Sequence, residues 1–590
     1  MFDDLDGKFQ ARLRDHRISA KTSRTREGEV MLLSTEAILE VRFDLDVLDR
    51  LHEPCFAAIE RPTTDGKTYL VYEVVGVKPM HFQMLGMDVA MPTVIRREYL
   101  ETIHSSWEGS DETWIDVIAV PTRYRMDLTE DGEPVFSRSE LVPLIGSPAR
   151  LLSSYAVRKF LCRDGGAVAG TLLGFNMPLT IDMESLVRYH TGVFGFTGSG
   201  KSNLTSYLLR QAWRAIPDLR VVILDIAGEY AIHLADILLE SGVFYSTENY
   251  EEDVERFLNS QTVPETLEDK LGNDKLEQIA RALFRQDKIK LLTKESRGRG
   301  IFTIEHILQV LQSIWSEGKS GKTQALMIMN HIQNKLLNDN RYSENTPLHE
   351  LSERDLAILA DVLREAKNTV NDRSSLYGEV SALLNYIEKI DEMAPSRGGS
   401  ERKVMTPEGL AQYVLSGEAE QLVICYLPEP DTARLATSRF IDSLLLLKKT
   451  RGARRKVLVV LDEAHEYIPD RAKDADYSAS SNKSVEALLR QGRKYRAHCW
   501  LATQRVAHLN VNALQQLHSY FVSTLPRFYD RMVIADAFSL SYGVVERTTE
   551  LDTGEWLFVS YKATKQKNVP VFLKTPNNEE LLLQSLSHVL

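Results

Sequence analysis

The chain has 590 residues, which is too long for one ordinary hydrophobic core, so we expect several domains. Hydrophobic residues make up 43% of the sequence and charged residues 26%, which excludes a largely disordered chain and a fibrous repeat. The 83 acidic residues outnumber the 71 basic ones, giving a formal charge of −12. This balance excludes a protein whose whole surface binds nucleic acid, but it leaves room for a local basic channel.

The sequence has no sign of a membrane segment or an export signal. No apolar run approaches the roughly 20 residues that span a bilayer, and the N-terminus lacks the apolar stretch of a signal peptide. The four cysteines fit neither a disulfide framework nor a zinc-ligand spacing. We therefore expect a cytoplasmic protein that does not contact a membrane.

The N-terminal quarter is predicted to be rich in β-structure. Residues 1–30 are polar and mixed in charge, and are predicted to form a poorly ordered arm. Residues 31–150 contain short β-rich runs between turn signals such as Asp65-Gly66, a pair typical of tight hairpins. This pattern favours a small β-barrel domain, and an irregular α+β module is the alternative.

After Gly170 the sequence is typical of an α/β fold. Five apolar runs of strand length follow: GVFGF, VVILDI, LVICYL, VLVVLD and CWLATQ. Such runs fit a parallel sheet that helices cover on both faces. Between the second and third runs, apolar residues recur at three- and four-residue spacing, which predicts helices. The predicted boundaries are a first core part at 151–248, a helical insertion at 249–415, a second core part at 416–565 and a C-terminal tail at 566–590.

The segment Gly195–Ser202 fits the phosphate-binding pattern G-x-x-x-x-G-K-[ST], and it lies between a predicted strand and a predicted helix. Glycines at these positions let backbone N–H groups surround phosphates at a helix N-terminus. Lys201 is expected to bridge the β- and γ-phosphates of ATP, and the Ser202 hydroxyl to bind Mg²⁺. A chance glycine-rich turn is the alternative. The predicted nucleotide-binding residues are Gly195, Gly198, Ser199, Gly200, Lys201, Ser202, Asn203 and Asp225.

A second carboxylate-bearing strand is expected beside a phosphate loop, and VLVVLDEAH provides it. Asp462 is predicted to hold Mg²⁺ with Ser202, and Glu463 to polarise the attacking water. A strand that merely ends in acidic residues is the alternative. His465 invites comparison with DEAH-box helicases, but too few residues follow Gln504 for the second RecA-like domain which those enzymes need.

The segment LLRQGRKYRAHCWLATQR supplies further candidates. A strand ending at Gln504 beside the Asp462 strand would let the Gln504 amide sense the γ-phosphate. Arg493, and after it Arg490, are the candidates for an arginine finger that completes a neighbouring subunit's site, because they precede this strand. A solvated basic helix face is the alternative. Asp225 ends the second predicted strand and is expected beside the phosphate loop.

Two basic clusters could contact phosphates, although a charge run is more often a solvated face. One comprises Lys448, Lys449, Arg451, Arg454, Arg455 and Lys456, and the other lies within residues 281–300. Because no zinc finger or recognition-helix pattern is evident, any nucleic-acid binding is expected to be directed to the backbone and independent of sequence.

Together these motifs resemble the HerA family, within the HerA–FtsK branch of P-loop ATPases. The resemblance is carried by RYHTGVFGFTGSGKSN, LDIAGEY, VLVVLDEAHEYIP and RQGRKYRAHCWLATQR, and LDTGEWLFV is similar to the closing strand of the family. The order of an N-terminal barrel, a core split by a helical insertion, and a C-terminal tail is also similar. The resemblance implies a RecA-like P-loop ATPase core.

The resemblance also implies a ring, normally a hexamer, that threads double-stranded DNA through its pore while hydrolysing ATP. It gives Lys201, Ser202, Asp462, Glu463 and Gln504 the roles described above, and Arg493 the role of the finger. It further implies a partner: a NurA-type nuclease, or an antiphage effector such as a sirtuin-like NADase or an endonuclease. Family members often have Glu in the segment that reads Arg490-Gln491-Gly492-Arg493 here, which weakens any role for a carboxylate at that place.

Three functions are compatible with the sequence. The first is an ATP-driven DNA translocase, and the second is a ring-shaped scaffold that gates a partner effector, with ATP acting mainly as a switch. A conjugation-type ATPase that serves a membrane channel is the weakest of the three, because no transmembrane segment is evident.

Overall fold

The computed structural model describes the chain except for residues 26–27, 65, 87–90, 108–110, 293–303, 317–320, 338–341, 343–345, 347, 349–350, 372–373, 389–403, 452–454, 474–475 and 590. The chain divides into two compact units. The larger unit comprises Met1–Leu292 and Leu410–Leu590, and the smaller comprises Thr293–Gly409.

The N-terminal part of the larger unit is a seven-stranded antiparallel sheet with the strand order β2-β1-β7-β3-β4-β5-β6. Strand β2 also pairs with β5, so that six of the strands follow one another in a closed circuit of hydrogen-bonded pairs. The predicted β-barrel stays a prediction, whereas the hairpin around Gly66 is confirmed by the β3–β4 pairing. Asp65 of that turn lies outside the described residues. The strands are β1 (Ala11–Thr25), β2 (Gly28–Arg42), β3 (Phe56–Thr63), β4 (Gly66–His81), β5 (Thr113–Leu128), β6 (Pro134–Arg138) and β7 (Pro148–Leu151).

The second sheet of the larger unit has twelve strands, in the order β13-β12-β14-β11-β15-β16-β10-β17-β18-β19-β8-β9. The pairings from β13 to β17 are parallel and those from β17 to β9 are antiparallel. The strands are β8 (Ala167–Leu172), β9 (Met177–Ile181), β10 (Thr191–Phe194), β11 (Leu219–Asp225), β12 (Gly242–Ser246), β13 (Ile289–Leu291), β14 (Leu422–Tyr426), β15 (Lys456–Leu461), β16 (Ala497–Thr503), β17 (Ser519–Val522), β18 (Glu555–Ser560) and β19 (Val571–Lys574).

The five apolar runs of the sequence form β10, β11, β14, β15 and β16, which confirms the predicted parallel α/β sheet. Every residue of β10, β14 and β16 is buried, as expected where helices cover both faces of a sheet. The helices of the larger unit are α1 (Leu45–His52), α2 (Thr93–Ser105), α3 (Ser154–Leu161), α4 (Met183–Arg188), α5 (Lys201–Ala215), α6 (Tyr230–His233), α7 (Ala235–Ser241), α8 (Val254–Asn259), α9 (Glu265–Arg285), α14 (Pro407–Leu415, beginning at the boundary), α15 (Pro430–Arg451), α16 (Ala464–Tyr467), α17 (Ser478–Gln491), α18 (Val511–Leu514), α19 (Phe528–Phe538), α20 (Tyr542–Glu546) and α21 (Asn578–Val589).

The smaller unit is helical. Its apolar core includes Ile307, Leu311, Ile328, Leu363 and Val380, which recur along their helices at the spacing that the sequence showed. The helices are α10 (Ile304–Ser316), α11 (Lys322–Ile332), α12 (Glu353–Thr369) and α13 (Ser375–Glu388). None of the helices in the described part of the chain is long and apolar enough to cross a bilayer.

Three parts of the chain differ from the sequence-based expectation. The poorly ordered arm is wrong for residues 11–25, which form β1 and pair with β2 although most of their side chains are polar. The segment predicted as a C-terminal tail contributes β19 to the second sheet. The insertion boundaries of 249 and 415 stay a prediction. The smaller unit of the structure begins at Thr293, because the apolar face of α9 packs into the core of the larger unit.

Candidate nucleotide-binding site

The phosphate loop connects β10 to α5 at the carboxyl end of the parallel sheet. Gly198 and Gly200 have φ angles of +85° and +93°, the left-handed region in which residues with a Cβ are strained. A Cβ at Gly195 would lie 2.5 Å from the Ser199 hydroxyl oxygen. The loop therefore needs glycine at all three positions, and it directs the N-terminus of α5, which begins at Lys201, toward the space where phosphates would bind.

Lys201 and Ser202 each face a carboxylate. The Lys201 Nζ lies 4.0 Å from the Glu463 Oε1, and the Ser202 hydroxyl donates a hydrogen bond to Glu229. Glu463 directly follows β15 and has a φ of +49°, a left-handed conformation that is uncommon for a residue with a side chain. This turn aims the Glu463 carboxylate at the phosphate loop.

Asp462 is 2% exposed and lies among other acidic groups. Burial, together with the charges of Asp225, Glu229 and Glu463, raises the pKa of Asp462 well above its ordinary value, and Lys201 opposes this. A hard divalent cation would relieve this repulsion, and oxygen atoms are the ligands that Mg²⁺ prefers. The residues at this place therefore fit a magnesium ion.

Gln504 follows β16, which lies between the Asp462 strand and the phosphate-loop strand. Its side-chain oxygen accepts a hydrogen bond from the Thr197 hydroxyl, within the phosphate loop. The sequence predicted that the Gln504 strand would neighbour the Asp462 strand, and the β15–β16 pairing confirms this. The Gln504 amide is thus connected directly to the loop that would hold the phosphates.

Asn203 and Asp225 make contacts other than those expected. The Asn203 Oδ1 accepts a 2.8 Å hydrogen bond from the Asn578 backbone N–H, which fixes the start of α21. Two strands separate β11 from β10, so Asp225 does not end a strand adjacent to the phosphate loop. The Asp225 carboxylate is fully buried and accepts hydrogen bonds from the backbone N–H groups of Gly228 (2.7 Å) and Tyr230 (3.1 Å). Burial raises its pKa to about 7.

The candidate arginines lie at the opposite end of the sheet from the phosphate loop. Arg493 belongs to a 3₁₀ turn before β16 and is exposed, and its guanidinium carbon lies 5.5 Å from the centre of the Tyr189 ring. The Arg188 guanidinium carbon and the Lys562 Nζ lie 5.7 and 5.8 Å from the centre of the same ring. Arg490 pairs instead with Glu486 of its own helix, at 3.6 Å. The structure therefore brings neither arginine into this chain's own nucleotide site.

Two members of the basic cluster before β15, Lys448 and Lys456, are engaged within the chain. Lys448 is 2% exposed, and its ammonium group donates hydrogen bonds to the backbone oxygens of Arg455 (2.6 Å) and Arg496 (3.2 Å). Burial lowers the pKa of Lys448 to about 8. Lys456 pairs with Glu184 at 2.5 Å. Arg454 and residues 293–300 of the second cluster lie outside the described residues.

Three contacts of the phosphate loop were missed at the sequence level. Glu229 was not among the predicted site residues, but its carboxylate accepts a hydrogen bond from the Ser202 hydroxyl. The Gly554 N–H donates to the Ser199 carbonyl oxygen, and the Thr553 hydroxyl to the Gly198 carbonyl oxygen, each at 3.2 Å. Thr553 and Gly554 lie in the segment LDTGEWLFV, which was predicted only as a strand. Its turn residues Thr553 and Gly554 were the available signal.

The motifs and their geometry define the chain as an α/β P-loop ATPase. Residues 167–399 match the family model described as "Helicase HerA, central domain". A probable helicase of Methanocaldococcus jannaschii is 22% identical over 508 residues, covering 86% of this chain and 85% of the relative. The DNA double-strand break repair helicase HerA of Pyrococcus furiosus is 22% identical over 424 residues, covering 71% of this chain and 70% of the relative. Over most of its length the chain is therefore similar to HerA-type helicases, and its central part matches the HerA model.

Among solved structures, VirB4 of Thermoanaerobacter pseudethanolicus is similar, with a TM-score of 0.39 and 14% identity, covering 70% of this chain and 98% of that one. The low TM-score means that this likeness carries no conclusion about the site or its substrate.

Proposed function

We propose that this protein is an ATP-driven motor that moves along double-stranded DNA. The observation that carries the proposal is the meeting of the phosphate loop with Lys201, Glu463 and Gln504 at one edge of the parallel sheet. The name of the Pyrococcus furiosus relative, a DNA double-strand break repair helicase, supports DNA as the track. Binding would be independent of base sequence, because the chain has no motif that reads base edges.

The side chains divide the work of hydrolysis. Lys201 would neutralise the β- and γ-phosphates, which lets charge build up on the transferred group. Glu463 would accept a proton from, or orient, the attacking water, since its left-handed backbone points its carboxylate at the loop. Gln504 would report the presence of the γ-phosphate through its hydrogen bond to Thr197.

Ser202 and Asp462 would hold the magnesium ion. When bound, the ion stabilises negative charge on the phosphate oxygens. The hydroxyl of Ser202 would have to exchange its partner Glu229 for the ion, and Asp462 would bind it in the ionised form. Glu229, which contacts Ser202, would be a neighbouring carboxylate that helps to orient the groups holding the ion.

The motor would be a homo-hexameric ring. Arg493 would complete the site of the adjacent subunit, and Arg490 is the second candidate for that role. A partner nuclease or defence effector, of the NurA, sirtuin-like NADase or endonuclease type, would then use the DNA that the ring delivers. The acidic balance of the chain supports giving the biological output to a partner rather than to this surface.

The test is steady-state ATP hydrolysis by the purified full-length protein, with and without linear double-stranded DNA. Stimulation of at least severalfold by DNA, absent with heparin at an equal concentration of negative charge, is the expected result. Slow turnover indifferent to DNA would overturn the motor and favour the scaffold that gates a partner.

A further inference from the structure

His465 lies between two carboxylates and is 9% exposed. Its Nδ1 is 3.2 Å from the Glu463 Oε2 and 2.9 Å from the Thr503 hydroxyl oxygen, and its Nε2 is 3.3 Å from the Glu466 Oε1. The imidazole therefore contacts the proposed catalytic glutamate on one side and a second carboxylate on the other. Thr503 is the last residue of β16, so the ring also touches the strand that presents Gln504.

The contacts continue from Glu466 to Arg434 of α15. The Arg434 Nη2 lies 3.1 Å from the Glu466 Oε2, and its Nε donates a 2.6 Å hydrogen bond to the Glu466 carbonyl oxygen. The Arg434 side chain is only 12% exposed, so both contacts are shielded from water. Arg434 thus holds Glu466 by its backbone and by its side chain.

Arg434 also reaches Asp476, in the segment before α17. Its Nη1 lies 3.4 Å from the Asp476 Oδ2, and Asp476 accepts a 2.6 Å hydrogen bond from the Ser478 hydroxyl at the start of α17. The Asp476 side chain is 34% exposed, so this end of the network is open to a ligand. A continuous series of polar contacts therefore runs from Asp476 to Glu463.

The charges along this series alternate in sign. Burial lowers the pKa of His465, but the nearby carboxylates of Glu463 and Glu466, at 3.2 and 3.3 Å, outweigh burial and raise the pKa above its ordinary value. The hydrogen bond from His465 likewise lowers the pKa of Glu466. A protonated imidazole is a donor at both nitrogens, which is the form that both carboxylates favour.

We propose that His465 is a positioning residue for Glu463, and that Glu466 and Arg434 connect it to Asp476, before α17. A ligand that draws Arg434 away from Glu466 would then release the imidazole and change the orientation of the Glu463 carboxylate. Asp476 would act as the regulatory contact for ATP hydrolysis. This inference deepens the proposed function, because it rests on Glu463 being the group that acts on water.

The first test is a double-mutant cycle on ATP hydrolysis without DNA. His465→Ala is expected to lower kcat about tenfold or more, with KM for ATP within about twofold, because a misaimed base affects the chemical step more than binding. Glu463→Gln is expected to lower kcat by about a hundredfold or more. In the double variant His465→Ala should add almost nothing, because its effect passes through Glu463.

The matched control is His104→Ala, since His104 is exposed on α2, far along the chain from the site, and the variant should turn over ATP like the wild type. His465→Asn keeps an N–H donor near Nδ1 and should recover part of the lost turnover; it replaces the alanine variant in the cycle if that variant fails to fold. Equal loss from the His465 substitution with and without the Glu463 carboxylate would overturn the positioning role.

The second test addresses the connection to Asp476. Arg434→Ala is expected to lower kcat about threefold and to add nothing in the His465→Ala background. If Arg434→Ala lowered kcat by the same factor in the wild type and in the His465→Ala variant, the proposed connection would be overturned. Both tests omit DNA, so their failure is distinguishable from failure of the proposed motor. If the protein hydrolyses ATP but does not respond to DNA, the proposed DNA motor fails. If the effects of the substitutions are additive, only the proposed network fails.

Discussion

The two ends of the parallel sheet carry opposite chemistry. At the carboxyl end, Lys201 of the phosphate loop faces Glu463, and burial raises the pKa of Asp225 and Asp462 at the ends of their strands. At the amino end, Arg188, Arg493 and Lys562 surround one tyrosine ring, and no carboxylate pairs with these three cations among the described residues. There burial lowers the pKa of His190 to about 4, so it stays neutral beside the cations.

The distance between these ends explains why one chain does not use both for the same nucleotide. Strand β16 runs from one end to the other over seven residues, Ala497–Thr503, which is about 20 Å at the usual rise per residue. Arg493 therefore lies too far from its own phosphate loop to touch a bound γ-phosphate. Head-to-tail packing would bring the cationic end of one subunit to the phosphate end of the next, and such contacts form a ring when the rotation between subunits closes.

The largest effect is expected at the carboxyl end. Lys201→Ala should lower ATP hydrolysis by at least about a hundredfold, because Lys201 is the cation that the phosphate loop itself would place beside the transferred phosphate. Lys322→Ala, at an exposed position of α11, is the matched control and should leave turnover unchanged. A Lys201→Ala protein with wild-type turnover in a coupled phosphate-release assay would contradict the assignment of this end.

The next effect is expected at the amino end. Arg493→Ala should lower kcat at least about tenfold without weakening ATP binding, because a finger acts on the transition state. Arg490→Ala should change kcat by less than about threefold, since Arg490 is already paired with Glu486. Titration with a fluorescent ATP analogue separates binding from turnover. The reverse ranking of the two variants would transfer the finger to Arg490.

The smallest effect is expected for the buried His190 at the amino end, in the pH dependence of the free energy of unfolding. The His190 Nδ1 accepts a 3.0 Å hydrogen bond from the Cys499 N–H, so the folded state needs the unprotonated ring. Its pKa is about 4 in the folded chain and about 6.5 when unfolded, so its contribution is complete above about pH 6.5 and is lost as the pH falls toward 4.

His190→Asn keeps an acceptor, and asparagine tolerates the φ of +59° at this position. Urea unfolding between about pH 6 and 4.5 should therefore show a free energy that falls less steeply in the variant, by about 1.4 kcal/mol per pH unit. Parallel pH profiles for the variant and the wild type would contradict a neutral His190.

The features predicted correctly from the sequence are those that depend on a few neighbouring residues. The phosphate loop, Asp462-Glu463 and the strand that ends at Gln504 are short motifs, and each lies at a strand end as expected. The contacts between distant segments were not predictable, because the strand order decides them: Glu229 was not among the predicted site residues, yet its carboxylate accepts a hydrogen bond from the Ser202 hydroxyl. Strand β1 was missed because its polar residues lack an apolar alternation, and its pairing with β2 supplies the order instead.

The central claim is that the two ends of the sheet meet between subunits, and co-assembly of two inactive variants tests it most directly. Lys201→Ala and Arg493→Ala chains, co-expressed with different tags and purified through both tags, form mixed assemblies. A fraction of their contacts would pair an intact Lys201 with an intact Arg493, so ATP hydrolysis should rise well above that of either variant alone. Mixed assemblies as inactive as the separate variants would contradict the shared site.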